Sequence, residues 1–156
     1  MIILGIETSC DDTAISVVEG SGGLRRPKFK VLAHVVSSQT AIHAPWGGVV
    51  PNLAKREHSK NLIPVLKKAL KSAKLLKLKA TPWRAKGVAF NSKVEPCGKE
   101  IKKILEREPE LLKQLLEFVP QIDGPKIDAI AVTVGPGLEP ALWTGINLAR
   151  ALSLVW

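Results

Sequence analysis

Residues 7–13, ETSCDDT, place two carboxylates, Asp11 and Asp12, directly after Ser9 and Cys10 in a short polar turn. Backbone N–H groups and hydroxyls in such a turn can bind phosphate oxygens. Adjacent carboxylates can hold a hydrated Mg²⁺ or orient an attacking nucleophile. Aspartates are equally common in turns that bind no ligand, because they hydrogen-bond to nearby backbone. We refer to residues 9–12 as the acidic turn. Taken alone, its sequence is consistent with a ligand site and with a plain polar turn.

A second segment with chemical potential is the Gly-Pro-Gly loop, in which Gly135 and Gly137 flank Pro136 between an apolar run and an amphipathic stretch. Glycines let the backbone turn sharply and approach a bound group closely, and the N-terminus of a following helix favours an anion. Gly145, further along, indicates either the close approach of another element or only a weaker helix. A tight strand-to-helix connection without a ligand explains the same residues. If both segments belong to one site, they must lie together in the fold.

The histidines and cysteines give little support for a metal or for a nucleophile. His43 and His58 lie fifteen residues apart and match no metal-binding motif, and Cys10 and Cys97 have no metal-ligand spacing. No histidine is spaced to activate Cys10 as a nucleophile. Two widely separated cysteines favour a reduced, intracellular protein, and we expect a cytoplasmic location with no membrane association, since the apolar start is too short for a signal peptide or a membrane span.

These segments need elements to position them. Hydrophobic periodicity predicts three consecutive strands, a helix that Asn52 would cap, a pair of short helices separated by Pro109, a buried strand and a final helix. The predicted ranges are 2–7, 13–19 and 31–38 for the first strands, 52–73 for the long helix, 99–119 for the short pair, 127–135 for the buried strand and 141–156 for the last helix. Residues 39–51 are predicted as a loop.

The order β-β-β-α-β-α, with a helical insertion at about 75–126, predicts an α/β, ribonuclease-H-like lobe of the type found in actin-like ATPases and sugar kinases. We expect residues 1–156 to form one incomplete lobe, because this layout usually has one more β-α unit. The strand at 127–135 would then lie at an exposed sheet edge.

The formal net charge of +9 is concentrated in one part of the chain. Residues 67–126 contain fifteen Lys or Arg against seven Asp or Glu, a balance of +8, and the remaining ninety-six residues have a balance of +1. Such an excess can attract a phosphate backbone or an acidic partner, or it can be a solvated lysine-rich face.

Three stretches together resemble one known family. GIETSCDDTAISVV, GGVVPNLAKREHSKNLIPVL and IDAIAVTVGPGLEPALWTGINLARALSLVW are similar, in that order, to the N-terminal part of the tRNA N6-adenosine threonylcarbamoyltransferases, formerly called O-sialoglycoprotein endopeptidases. The resemblance covers roughly residues 1–72 and 127–156. It implies transfer of a threonylcarbamoyl group from threonylcarbamoyl-AMP to N6 of adenosine 37 in tRNAs that read codons beginning with A.

The resemblance also implies roles for particular residues. Asp11 and Asp12 would be catalytic, with Ser9 beside them at the reactive end of the adenylate. His43, Gly135 and Gly137 would contribute to the same substrate cleft. The family places threonylcarbamoyl-AMP or ATP and one divalent metal, iron or zinc, between two lobes, and its metal ligands lie outside these 156 residues. Expected partners are tRNA, a non-catalytic paralogue and an ATPase subunit, and this chain would be inactive alone.

Two other functions remain open on the sequence. A shorter, non-catalytic paralogue of the same system shares the lobe and dimerises, although the acidic turn and the GGVVP segment favour the catalytic member. A two-metal nuclease of the same fold would use Glu7 and Glu57 together with Asp128 or Glu139. Asp128 begins its strand rather than ending it, which is poor geometry for such a site.

Overall fold

The computed structural model describes residues 1–23, 25–79 and 98–156. Six strands are present in these ranges: β1 (Ile2–Glu7), β2 (Asp12–Ser21), β3 (Lys28–Ser38), β4 (Lys77–Leu78), β5 (Ile122–Asp123) and β6 (Ala129–Val132). The main sheet has four strands in the order β3-β2-β1-β6, and β4 and β5 form a separate pair. The predicted three-strand meander, joined by a fourth strand from late in the chain, is confirmed.

The central strand β1 pairs antiparallel with β2 and parallel with β6. Side chains alternate between the two faces of a strand, so Leu4 and Ile6 point into the core while Gly5 and Glu7 face the other way. The strand predicted as buried over nine residues spans only four, Ala129–Val132, and none of the four is buried. It lies at the edge of the sheet, as predicted. Its flanks still bond to β1, because Asp128 N donates to Ile2 O and Thr133 N donates to Ile6 O.

The described residues contain five α-helices: α1 (Thr40–His43), α2 (Pro51–Ser72), α3 (Gly98–Ile104), α4 (Pro109–Phe118) and α5 (Glu139–Val155). Two corrections follow. Residues 39–51 are not a continuous loop, since α1 and a 3₁₀ turn at Ala44–Trp46 lie within them. Asn52 does not cap α2, because Val50 occupies the N-cap position and Pro51, whose fixed φ suits the first helical position, begins the helix.

The core lies between one face of the sheet and the long helices. Helix α2 packs on β2 and β3, and it also packs on α5, which lies against β1 and β6. Fully buried leucines and isoleucines join these elements, and each contributes about 1.5–3 kcal/mol through removal from water; the largest are Leu4, Ile15, Leu62, Ile63, Leu66, Leu70 and Leu148.

The predicted insertion at about 75–126 shares this core rather than standing apart from it. Its two ends meet where β4 pairs with β5. Pro109 separates α3 from α4, as predicted, and their apolar faces bury Ile101, Leu105, Leu111, Leu115 and Phe118 with the residues of α2 and α5. Residues 80–97, the middle of the insertion, lie outside the described residues. The helical part of the insertion is therefore a structural component of the lobe.

A buried carboxylate fastens the insertion to the two long helices. Glu108 lies just before α4 with its side chain 1% exposed, and Lys55 Nζ of α2 lies 3.1 Å from its Oε1. Asn147 of α5 donates its amide to Glu108 Oε2 at 3.3 Å. A buried carboxylate needs such partners to remain in the core. In the described part of the chain, none of the helices combines the length and apolarity that crossing a bilayer would require.

Candidate functional site

The acidic turn and the Gly-Pro-Gly loop are in direct contact. Leu138 N donates a hydrogen bond to Ser9 O at 2.7 Å. At Gly137 a Cβ atom would stand 2.5 Å from Ser9 O and 2.7 Å from Ser9 Cβ, closer than real contacts allow. Gly137 is therefore required by the close approach of the two backbones. The two segments thus lie together in the fold, which a shared site requires.

Glu7 links this contact to the end of the sheet. It is the last residue of β1, and its Oε1 accepts a hydrogen bond from Ser9 N at 2.5 Å, while Oε2 accepts one from the hydroxyl of Thr133, just after β6. Burial raises the pKa of Glu7, but the hydrogen bonds from Ser9 and Thr133 outweigh it, so that the pKa lies below its ordinary value. The ionised Glu7 carboxylate thus connects the acidic turn to the end of β6 through two hydrogen bonds.

The beginning of α5 is fixed to the same place. Thr8 is fully buried, and its hydroxyl donates to Ala141 O in the first turn of α5 at 2.9 Å. A Cβ at Gly145 would lie 2.5 Å from Thr8 Oγ1. The close approach that Gly145 indicated in the sequence is therefore a helix-to-strand contact. Through Glu7, Thr8 and Ser9, three successive residues hold the Gly-Pro-Gly loop and α5 against the acidic turn.

The carboxylates of the turn face outward. Asp12 is exposed and Asp11 is partly exposed, and neither forms an ion pair within the described ranges. Between Ser9 and Asp11 lies Cys10, which is exposed. Partial burial and the neighbouring Asp11 carboxylate raise the pKa of the Cys10 thiol. A thiol that holds its proton is a poor nucleophile.

Beneath the acidic turn lies His58 of α2, which is fully buried. Its Nε2 lies 3.1 Å from Cys10 O, and its Nδ1 lies 2.8 Å from Thr13 Oγ1 and 3.2 Å from Gln39 Nε2. A carbonyl can only accept, so the proton is assigned to Nε2, and Nδ1 accepts from the hydroxyl and the amide. Burial lowers the pKa of His58 from its ordinary value, which keeps the ring neutral.

The hydrogen-bonded network continues from His58 to the start of α2. Gln39 is fully buried, and its Oε1 accepts from His43 Nε2 at 3.1 Å. The Nδ1 atom of His43 in turn accepts from Val50 N at 3.4 Å. We refer to Thr13, Gln39, His43 and His58 as the buried polar network. His43 is 3% exposed and belongs to the network that lies under the acidic turn. The predicted contact of His43 with substrate stays a prediction.

The structure sorts the predicted site residues clearly. Ser9 and Gly137 touch, Asp11 and Asp12 project from the same turn, and Gly135 is exposed, with no atom within 4 Å of a Cβ built on it. The sequence did not predict that Glu7 connects the acidic turn to β6. It also did not predict the hydrogen bonds among Thr13, Gln39 and His58. One signal could have found Thr8 and Thr13, because buried polar side chains need partners. Thr13 lies on the core-facing side of β2, and Thr8, one residue past the end of β1, continues the core-facing alternation of that strand.

The described residues do not form a cluster of side chains suited to bind a metal ion. Within residues 1–23, 25–79 and 98–156, no group of three His, Cys, Asp or Glu side chains is placed to hold a metal ion. Of the carboxylates considered for a two-metal nuclease, Glu7 lies at the last residue of β1, whereas Asp128 accepts from Ile2 N at its first residue. The intervening strand separates them by about 17 Å at the usual rise of about 3.3 Å per residue.

The lobe has clear relatives among known proteins. The model of the family described as TsaD, tRNA N6-adenosine threonylcarbamoyltransferase, matches residues 30–81 and 101–156, which is more than half of the chain. The match includes parts of the predicted insertion, and it leaves out residues 1–29, which contain the acidic turn, and residues 82–100.

Individual relatives match the whole chain, including the acidic turn. A protein of Persephonella marina is 40% identical over 100% of this chain and 30% of its own length. Corresponding proteins are 37% identical in Thermomicrobium roseum, over 100% of this chain and 28% of the relative, and 35% identical in Syntrophobacter fumaroxidans, over 98% and 29%. All three are named tRNA N6-adenosine threonylcarbamoyltransferase. The chain thus spans about three tenths of these relatives' length, and it belongs to the tRNA N6-adenosine threonylcarbamoyltransferase family.

Proposed function

We propose that this chain forms one wall of a site that transfers a threonylcarbamoyl group from threonylcarbamoyl-AMP to N6 of adenosine 37 in tRNAs that read codons beginning with A. The observation that carries the proposal is the contact of Ser9 with Gly137 and Leu138, which joins the acidic turn and the Gly-Pro-Gly loop into one surface. Membership of the family supports the reaction, and the sheet order with a parallel β6 supports a ribonuclease-H-like lobe.

The chemistry assigns the two carboxylates to the reacting end of the donor. The N6 amine attacks the carbamoyl carbon, the bond from that carbon to the phosphate oxygen breaks, and AMP leaves with the electron pair. A proton must leave the amine, and we assign Asp11 or Asp12, the carboxylates at the outer side of the acidic turn, to accept it or to orient the amine. Ser9, Gly135 and Gly137 would bind the donor beside them.

Other parts of the reaction are proposed to come from outside this chain. The opposite wall of the cleft and the divalent metal, iron or zinc, with its ligands would belong to the rest of the protein, because the described residues offer no metal-binding group. Partners would be tRNA, the non-catalytic paralogue and the ATPase subunit, and the site of action would be the cytoplasm.

The direct test is an assay of the complete product of the gene. The purified protein, with the partner proteins of its own organism, is given threonylcarbamoyl-AMP and tRNA, and threonylcarbamoyladenosine is measured by mass spectrometry of tRNA nucleosides. We expect Asp11→Asn to lower the transfer rate by about 10²–10⁴-fold, the range that a positioned acid or base contributes.

Asp123→Asn is the matched control, because Asp123 is an exposed aspartate of the β4–β5 pair and lies apart from the acidic turn. It should retain the rate of the unmodified protein. A complete product that makes no threonylcarbamoyladenosine with its partners would refute the proposed function. A product that is active but indifferent to Asp11→Asn and Asp12→Asn would refute the role of the acidic turn.

A further inference from the structure

We propose that His58 is a positioning residue for the transfer reaction: by holding the carbonyl of Cys10, it fixes the backbone conformation of Asp11 and thereby the direction of the Asp11 carboxylate. This inference rests on the proposed function and deepens it, since it selects Asp11 from the two aspartates. It also assigns a function to the buried polar network, which is to fix the backbone of the acidic turn.

The geometry of the turn carries the inference. Asp11 lies between two peptide groups, and a peptide group is planar, so each can be oriented by a bond to its carbonyl. The carbonyl of the first, Cys10 O, accepts from His58 Nε2 at 3.1 Å. The carbonyl of the second, Asp11 O, accepts from Gln39 N at 2.8 Å. Both peptide planes that flank Asp11 are therefore held, and with them the direction of its Cα–Cβ bond.

Asp12 is held differently. It is the first residue of β2 and pairs with Ser38 of β3, so the sheet itself sets its backbone. Asp11 precedes the strand and lacks that support. The buried polar network supplies the support instead, because Gln39 uses its main-chain N–H on Asp11 and its side-chain amide on His58. One residue thus ties both carbonyls of the turn to α2.

Histidine suits this position because both of its nitrogens are used at once. Nε2 donates to the turn, and Nδ1 accepts from Thr13 and Gln39 inside the protein. Its ring is 0% exposed, so any bond that is lost is not replaced by bulk water. The next histidine of the network, His43, forms its hydrogen bonds with Gln39 and Val50, and Gln39 links it to the turn.

Two substitutions separate the two nitrogens. In His58→Gln, the side-chain amide nitrogen stands near the position of Nε2 and can still donate to Cys10 O, whereas the acceptor for Thr13 and Gln39 is lost. In His58→Asn, the shorter side chain places its oxygen near the position of Nδ1 and keeps that acceptor, whereas the donor to Cys10 O is lost. Each variant therefore keeps one of the two hydrogen-bonding functions of the histidine, the donor in His58→Gln and the acceptor in His58→Asn.

The experiment measures kcat and KM for transfer by the complete gene product with its partners, together with the unfolding midpoint of each variant. If His58 positions Asp11, His58→Asn should lower kcat by about 10²-fold, the cost of a misplacement of about 1 Å. His58→Gln should lose less than about tenfold, and KM for tRNA should change little in either variant.

A purely structural role predicts the opposite order. His58→Gln removes the acceptor of two hydrogen bonds and His58→Asn removes the donor of one, so a loss that follows stability would be larger in the glutamine variant. Equal losses of kcat in the two variants, or a larger loss in His58→Gln, would overturn the inference.

Amide hydrogen exchange of residues 10–12 gives a second readout that does not depend on transfer. Faster exchange in His58→Asn than in His58→Gln is expected, and equal exchange in the two variants would also overturn the inference. An unmodified protein without any transfer activity would refute the proposed function instead, and the exchange measurement would still decide whether His58 fixes the turn.

Discussion

The contact between the acidic turn and the Gly-Pro-Gly loop can be tested with two matched substitutions, Gly137→Ala and Gly135→Ala. Both glycines have φ of +157°, a conformation that side-chain-bearing residues rarely adopt. They differ in their surroundings: a Cβ at 137 would stand 2.5 Å from Ser9 O and 3.0 Å from Ser9 Cα, whereas a Cβ at 135 would meet nothing within 4 Å. The difference between the variants therefore isolates the close approach of the two segments.

The expected magnitudes follow from these distances. The backbone strain is common to both variants and costs about 1–3 kcal/mol. At 137 the neighbouring atoms belong to the backbone and Cβ of Ser9, so they cannot rotate away, and overpacking of this kind adds about 1–3 kcal/mol. Displacement of the loop also weakens the bond from Leu138 N to Ser9 O, worth about 0.5–1.5 kcal/mol.

Urea unfolding followed by circular dichroism measures the difference. Gly137→Ala should lower the free energy of unfolding by at least about 1 kcal/mol more than Gly135→Ala, with a melting temperature lower by roughly 2–4 °C for each kcal/mol. If Gly135→Ala were as destabilising as Gly137→Ala, the close packing of the loop on Ser9 would not be what requires glycine at 137, and the shared surface would lose its main support.

Three further predictions concern buried charge and pH. Glu108→Gln should cost about 1–3 kcal/mol in urea unfolding, because it weakens the bond to Lys55 in the core. Glu57→Gln, whose partner Lys60 is 58% exposed, should change stability by less than about 1 kcal/mol. Equal effects would contradict the proposed anchoring of the insertion. Since burial lowers the pKa of His58, the unfolded chain binds more protons than the folded one, so stability should fall as the pH drops through 6.5, by at most about 1.4 kcal/mol per pH unit. For Glu7, burial acts to raise the pKa but the hydrogen bonds lower it below its ordinary value, so a further loss should begin as the pH falls through 4.5. The groups that face His58 are Glu7, Asp11 and His43, and urea midpoints of His58→Gln and Glu7→Gln across the pH range should each lack the corresponding fall.

Local patterns predicted most of the elements but not how they meet. The alternation in β1 and β2 predicts the hairpin, and the glycines predict the tight loop. The strand at 127–135 was too long by five residues, because an apolar run does not reveal where pairing with β1 stops. The prediction that Asn52 caps α2 is wrong, because Pro51 precedes it and takes the first helical position, where its fixed φ is favourable.

The buried polar network could not be predicted from the sequence, because it is made of contacts between distant residues. Thr13, Gln39 and His58 lie in a strand, before a short helix and in a long helix, and each is unremarkable within its own segment. The role of the insertion was missed for the same reason, since an amphipathic pattern shows that α4 buries one face but not what covers that face.

The most direct measurement for the central claim is amide hydrogen exchange of the complete gene product, with its partners, before and after addition of threonylcarbamoyl-AMP. A single adenylate pocket predicts that residues 9–12 of the acidic turn gain protection together with Gly135, Gly137 and Leu138 of the Gly-Pro-Gly loop, at the same donor concentration. Protection of neither segment, or of one without the other, in a protein that transfers the threonylcarbamoyl group would contradict the claim.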